Sequence, residues 1–271
     1  MSPVLMESQF IQKGVLTPEE FVRAGDQLVR ICPTWQWQSC EQGYIREYLP
    51  RDKQFLCIHG VPCAQRVVDV MGDSAEGGPA ETLEGEGGEW CLPSMAANLT
   101  CFDSSIPVLA HETELRKVTE AVDDYADMED DSLALDEQSI FPSSSASSAV
   151  LKIRRYDISI TYDKYYQTPR VWLAGHDSGG KPLVSDQVFE DVMKDYAKKT
   201  VTVDPHPHLA TPHASIHPCQ HANAMLHILE TLIDSNEVPS VDQYLLIFLK
   251  FVQSIIPTIE YDHVSYQRIF S

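Results

Sequence analysis

Tyr156-Asp157-Ile158-Ser159-Ile160-Thr161-Tyr162-Asp163 alternates apolar and polar side chains with a period of two, and Thr168-Pro169-Arg170-Val171-Trp172-Leu173-Ala174 follows it as a second extended stretch. Successive side chains of a strand point to opposite faces, so the first run is a strand with one face on a core. Asp163–Gln167 supplies the connection of a hairpin. Upstream, Gln54-Phe55-Leu56-Cys57-Ile58 and Trp35-Gln36-Trp37 read as short strands or buried loop. Before them, Thr17-Pro18-Glu19-Glu20 carries an N-cap threonine, a proline at the first helical position and a glutamate three residues after the cap, which is a capping box. Phe21, Val22, Leu28, Val29 and Cys32 then share one helical face, and Pro33 ends the run. Downstream, Val188, Phe189, Val192, Met193 and Tyr196 recur at helical spacing, and Lys198 to Val203 is strand-like, ending in His206-Pro207-His208. Ala222, Met225, Leu226, Leu229, Leu232 and Ile233 form one helical stripe, and Val241 to Ile256 is apolar nearly all round, so it belongs in the centre of the core. The sum is an α+β fold: a helix, a meander of strands, an irregular segment, then helices.

Between the strands at residues 54–58 and 156–163 the chain changes character. Residues 69–137 hold 19 acids against Arg116 and Lys117, whereas residues 1–68 balance at 7 acids and 7 bases and residues 138–271 hold 14 acids and 11 bases. Gly85-Glu86-Gly87-Gly88 and the serine tract Ser143–Ser148 complete a composition that buries too little apolar surface to offset chain entropy, so most of 69–149 is expected to be disordered. Two islands interrupt it, one around Trp90 and one from Ala121 to Glu137. The chain therefore divides into 1–68, an acidic insertion at 69–149, and 150–271.

The net charge of −20 removes the basic footprint of a nucleic-acid binder. Seven cysteines with no C-x-x-C pair fit reduced thiols rather than a disulfide framework. No signal peptide is visible, and the apolar run Tyr244–Ile256 is too short to span a bilayer, so a soluble cytoplasmic protein is expected.

Six cysteines lie between Cys32 and Cys101, and Cys219 stands apart from them. It opens a helix-like segment and is flanked by His213, His217 and His221. Unpaired N–H groups and the positive end of the macrodipole at a helix start favour a thiolate, the form that attacks acyl carbons. A buried inert cysteine stands beside this reading, since free cysteine is among the most buried residue types. Zinc is a second alternative, because His206, His208, His213, His217, Cys219, His221 and His227 crowd together; H-P-C-x-H, however, spreads its donors across a helix boundary. A papain-like protease is a third, but its signature around the nucleophile is absent.

The residues resemble the autophagy-related protein 3 family, the ubiquitin-conjugating-type enzymes that attach a ubiquitin-like autophagy modifier to phosphatidylethanolamine. The matching strings are Gly14 to Val22, Cys32 to Trp37, Tyr48-Leu49-Pro50, Lys53 to Leu56, Ile160 to Arg170, Lys199 to Thr202, His217-Pro218-Cys219, Phe248 to Gln253 and Ile256 to Asp262. The resemblance implies a ubiquitin-conjugating-enzyme-like core, an antiparallel sheet with flanking helices, interrupted by the acidic insertion. Cys219 matches the family's thioester cysteine, which takes the modifier's C-terminal glycine from the activating enzyme and yields it to the lipid amine. No cofactor is implied.

Ordinary ubiquitin-conjugating enzymes carry His-Pro-Asn shortly before the cysteine, where this chain has His206-Pro207-His208. Thr200, His206 and His217 are the candidates to support Cys219. Asp127-Met128-Glu129-Asp130 resembles the insertion segment that engages conjugation partners, including the conjugate ligase complex. Phe189-Glu190-Asp191-Val192 has the aromatic-x-x-aliphatic pattern that binds such modifiers, and is expected to be only the amphipathic face of its helix. Family members begin with an amphipathic, membrane-inserting helix of roughly twenty residues. Here Val4, Leu5, Phe10 and Ile11 have no basic polar face beside them, as in a shortened isoform or an incomplete gene model. That leaves a second hypothesis, a non-catalytic adaptor recruiting the machinery through residues 120–137.

Overall fold

The computed structural model describes residues 4–68, 81–85, 88–92 and 153–259. Helix α1 (Phe10–Lys13) and helix α2 (Pro18–Ile31) come first, followed by strands β1 (Gln36–Gln38), β2 (Phe55–Cys63), β3 (Glu81–Gly85) and β4 (Gly88–Leu92). Then come β5 (Arg154–Asp163), β6 (Thr168–His176), helix α3 (Ser185–Phe189), β7 (Val201–Pro205) and β8 (Pro212–Ile216), and finally α4 (His221–Asp234) and α5 (Tyr244–Ile255). Six strands form one antiparallel sheet in the order β1-β2-β5-β6-β8-β7. The expected α+β class with an antiparallel sheet and flanking helices is what the chain adopts.

The capping box forms as the sequence predicts. Thr17 Oγ1 accepts from the Glu20 N–H at 3.1 Å, and Glu20 Oε2 accepts from the Thr17 N–H at 2.8 Å. Pro18 has no N–H, so two of the three unpaired N–H groups at the start of α2 are thereby satisfied. Helix α1 ends at Gly14, whose φ of +65° only glycine adopts without strain. A Cβ there would also stand 2.4 Å from the Ala222 carbonyl oxygen, so the missing side chain lets this turn lie directly on α4. Tyr244 donates to the Gly14 carbonyl at 2.6 Å and the Leu16 N–H donates to the Gln167 carbonyl at 2.9 Å. The start of the chain is thus fastened to α5 and to the β5–β6 turn.

Tyr156, Ile158, Ile160 and Tyr162 are buried on one face of β5, as the alternation requires, against a core that includes nearly all of α5. The opposite face departs from a simple apolar-in, polar-out strand. Ser159 and Thr161 are buried too, beneath a second, smaller layer of aromatic rings. Trp172 Nε1 donates to Thr161 Oγ1 at 2.9 Å, and Ser159 Oγ lies 2.9 Å from His206 Nε2. Phe55 stacks on His208 with centroids 5.4 Å apart, and His206 packs edge-on against Phe55 and Trp172. Short hydroxylated side chains suit this face because they give the buried rings hydrogen-bond partners.

Two further expectations are corrected. The helical spacing at 188–196 yields a helix only over Ser185–Phe189, with successive turns beyond it. Those turns carry Asp191 into a buried ion-pair cluster (below), which a continued helix would not. On α4 the buried stripe is His221, Ala224, Met225, Ile228, Leu229 and Leu232, one step round from the stripe read in the sequence. Leu226 is only partly covered and Ile233 is exposed. The island around Trp90 forms a strand pair: β3 and β4 pair with Glu81 opposite Leu92 and Gly85 opposite Gly88. The rest of the insertion lies outside the described residues, as do Asp127, Met128, Glu129 and Asp130.

Burial of imidazoles has a measurable consequence. His206 is pushed down to about 3 and His208 to about 4, both mainly by burial, with neighbouring positive groups adding to the shift. His221 is pushed down to about 4 for the same first reason. Above the ordinary histidine value near 6.5 folded and unfolded chains are both neutral at these sites. Below it the unfolded chain takes up protons that the fold refuses, so stability falls from about pH 6.5 towards pH 4. At pH 5 each histidine should cost on the order of 1–2 kcal/mol. Thermal melts at pH 7.5 and pH 5 should differ by about 10 °C, and a flat Tm over that interval would contradict the assignment.

Candidate active site

Strand β8 delivers the chain to a single 3-10 turn, Pro218–Gln220, from which α4 begins at His221. Pro218 fixes φ at the first position of the turn, where no N–H is needed. His217 caps it: its Nδ1 accepts from the Cys219 N–H at 3.3 Å. The His217 N–H donates to the Thr200 carbonyl at 2.7 Å, tying the turn to the residue that opens β7. Thr200 therefore supports the turn through its backbone, while its hydroxyl donates to the Tyr196 carbonyl at 3.3 Å. Behind the turn, His221 is fully buried between Phe248 and Phe251. Its Nδ1 lies 2.9 Å from the Pro169 carbonyl, an acceptor only, so Nδ1 carries the hydrogen and Nε2 is a bare lone pair without a partner.

Cys219 is half-buried and free. Burial pushes its thiol above the ordinary cysteine range, and the backbone N–H groups of Cys219 and Gln220 offset this only in part. The helix-start argument thus has the right sign but the smaller magnitude, because loss of water around a thiolate outweighs two backbone dipoles. Cys40 is likewise raised by burial, and Cys57 and Cys63 are less reactive still. Burial, aided by Asp157, pushes Cys57 up to about 12, and burial together with Asp191 pushes Cys63 up to about 11. Cys219 and Cys40 are partly open to solvent, whereas Cys32, Cys57 and Cys63 are buried.

Of the three support candidates, the fold brings two to the cysteine and takes one away. In the β7–β8 hairpin Val201 lies opposite Ile216 and Pro205 opposite Pro212. Thr200 and His217 extend the Val201 end, next to Cys219, whereas His206 follows Pro205 at the other end. Four residue steps at 3.3 Å each separate the two ends by about 13 Å. His206 belongs to the aromatic layer with Phe55 and Trp172. The same separation disperses the histidines that suggested zinc. Among the described residues no group of three or more His, Cys, Asp or Glu is placed to hold a metal ion.

Two residues of the surrounding sheet and turn had no role in the sequence reading. Tyr166, in the β5–β6 turn, packs edge-on against His217 with centroids 5.5 Å apart. Arg170, on β6, donates to Ser215 Oγ at 2.6 Å and to Asp204 Oδ2 at 2.5 Å, and its guanidinium lies 4.3 Å from the Trp172 ring centroid. Both lie inside the string Ile160–Arg170, but no local pattern separates their roles from those of their neighbours. The Phe189–Val192 motif is not free to dock on anything: Asp191 and Val192 are each 1% exposed.

The model of the family described as autophagocytosis associated protein, active-site domain, matches residues 20–263. The chain belongs to the autophagy-related protein 3 family. It is 42% identical to autophagy-related protein 3 of Arabidopsis thaliana, over 94% of this chain and 89% of that protein. It is 37% identical to the Dictyostelium discoideum protein of that name, over 97% and 92%, and 35% identical to that of Schizosaccharomyces pombe, over 97% and 93%. The chain is accordingly a ubiquitin-conjugating-type enzyme of autophagy, a transferase for a ubiquitin-like modifier. A match to an active-site domain goes against the adaptor hypothesis. No helix among the described residues is long and apolar enough to cross a membrane.

Proposed function

We propose that Cys219 is the residue that carries the modifier. Its sulfur attacks the C-terminal glycine carbonyl held as a thioester on the activating enzyme; the new C–S bond forms as the old one breaks, and the thiol proton passes to the departing cysteine. In the second step the amine of phosphatidylethanolamine attacks the same carbonyl. The Cys219 thiolate leaves, the amine gives up a proton to solvent, and an amide remains. The exchange of thioester for amide runs downhill without ATP, so the protein's task is positioning and stabilisation of the oxyanion.

The observation that carries this reading is a partly exposed free thiol on a 3-10 turn that His217 caps through the Cys219 N–H, at the start of α4. The protein works in the cytoplasm and reaches autophagic membranes transiently, its acidic segment Asp127–Asp130 meeting the conjugate ligase complex. Incubation with activating enzyme, modifier and ATP should give a band on a non-reducing gel that dithiothreitol abolishes. Lipid conjugate should follow on highly curved, phosphatidylethanolamine-rich vesicles. Absence of the thiol-sensitive band would remove the proposal.

A further inference from the structure

We propose that Tyr166 is a positioning residue for the thioester site, acting through His217. The proposal rests on Cys219 being the acylated residue and adds what holds it in place. The β5–β6 turn is a fixed platform rather than a loose loop. Asp163 Oδ1 accepts from the N–H groups of Tyr165 at 2.9 Å and Tyr166 at 3.1 Å. The Gln167 N–H closes the turn on the Asp163 carbonyl at 2.7 Å, with Gln167 in the left-handed region at φ +58°. The turn is tied in turn to the start of the chain, since Gln167 O accepts from Leu16 N–H. From this platform Tyr165 points outward, 71% exposed, while Tyr166 turns inward. Their rings meet edge to face at 4.8 Å, which fixes the Tyr166 ring from its outer side.

The inner side of that ring meets the edge of the His217 imidazole at 5.5 Å and 75°. His217 has three restraints: its N–H on the Thr200 carbonyl, its ring against Tyr166, and its Nδ1 on the Cys219 N–H. The last two act on the same ring. An imidazole free to rotate about χ1 and χ2 would leave the Cys219 N–H without its cap, and the 3-10 turn would lose the bond that sets where the sulfur points. The Tyr166 ring blocks that rotation. Burial raises the Tyr166 phenol, and the neighbouring Cys219 adds to that shift. Sulfur placement matters because attack on a thioester requires the nucleophile in line with the carbonyl, and small displacements cost large factors in rate.

A ring acting in this way should be replaceable by phenylalanine but not by a small side chain. The experiment loads the full chain with modifier at Cys219, quenches the activating enzyme, and follows single-turnover discharge to phosphoethanolamine in solution. Tyr166→Phe should discharge within about twofold of wild type. Tyr166→Ala should be slower by about tenfold with its melting temperature little changed, and Tyr166→Leu serves in its place if the alanine variant does not fold. His217→Ala should be slowed to a similar degree, and adding Tyr166→Ala to it should produce no further loss, since the ring then has nothing to hold. Wild-type discharge by the alanine and leucine variants overturns the proposal. So does a double variant in which the two losses multiply, or a phenylalanine variant as slow as alanine, which would place the effect on the hydroxyl. Failure of the wild-type chain to load is a separate result that removes the role of Cys219 itself.

Discussion

Asp191→Ala is expected to destabilise the fold by about 3–5 kcal/mol, enough to leave a chain of ordinary stability marginal. Asp191 is 1% exposed, and its Oδ2 accepts from Arg154 Nη1 at 2.9 Å and from the Tyr156 hydroxyl at 2.5 Å. Its Oδ1 faces Arg66 Nη1 at 3.2 Å as an ion pair, and its backbone carbonyl accepts from the Thr258 hydroxyl at 2.8 Å. Two parts of the core converge on this carboxylate, the segment after β2 through Arg66 and β5 through Arg154 and Tyr156, while the segment after α5 holds its backbone carbonyl through Thr258. Truncation leaves the Arg154 guanidinium, itself 11% exposed, with only the Glu190 carboxylate and the Gln187 carbonyl. An uncompensated buried charge is the costly outcome, more than the lost attraction. Denaturant unfolding should show a lower midpoint at unchanged slope, and a midpoint equal to wild type would show that the cluster is dispensable.

Cys219→Ser should convert a transient thioester into a persistent adduct while lipid product falls by roughly a hundredfold or more. The alkoxide is a much poorer leaving group than the thiolate, so an oxyester once formed resists the amine. On a non-reducing gel the adduct should survive dithiothreitol and disappear in mild hydroxide. Cys219→Ala should form neither. Because Cys57 and Cys63 are buried with strongly raised thiol values, they offer no substitute sulfur. Undiminished lipid conjugate from the serine variant would place the acyl group elsewhere.

The chain's local patterns determined its elements. Alternation at 156–163, the capping box at Thr17–Glu20 and the all-round apolar run at 241–256 each follow from interactions within a few residues, so each could be read directly. The isolation of Cys219, and the likeness of the strings around it to one family, likewise needed no coordinates. Ser159 and Thr161 show where such reading stops. Their polarity predicts a wet face, but residues far along the chain roof them with rings that need hydroxyl partners.

His206 is the sharper case. It lies close to Cys219 in sequence, yet an intervening hairpin carries it to the opposite end, because antiparallel strands move sequence neighbours apart while closing distant pairs. For the same reason Tyr166 meets His217 and Asp191 gathers Arg66, Arg154 and Thr258 only once the sheet has assembled. The reactivity of the thiol was settled there as well. Backbone dipoles at a helix start are a local property, but the loss of water around a sulfur depends on everything packed over it, and that is fixed by the tertiary structure alone.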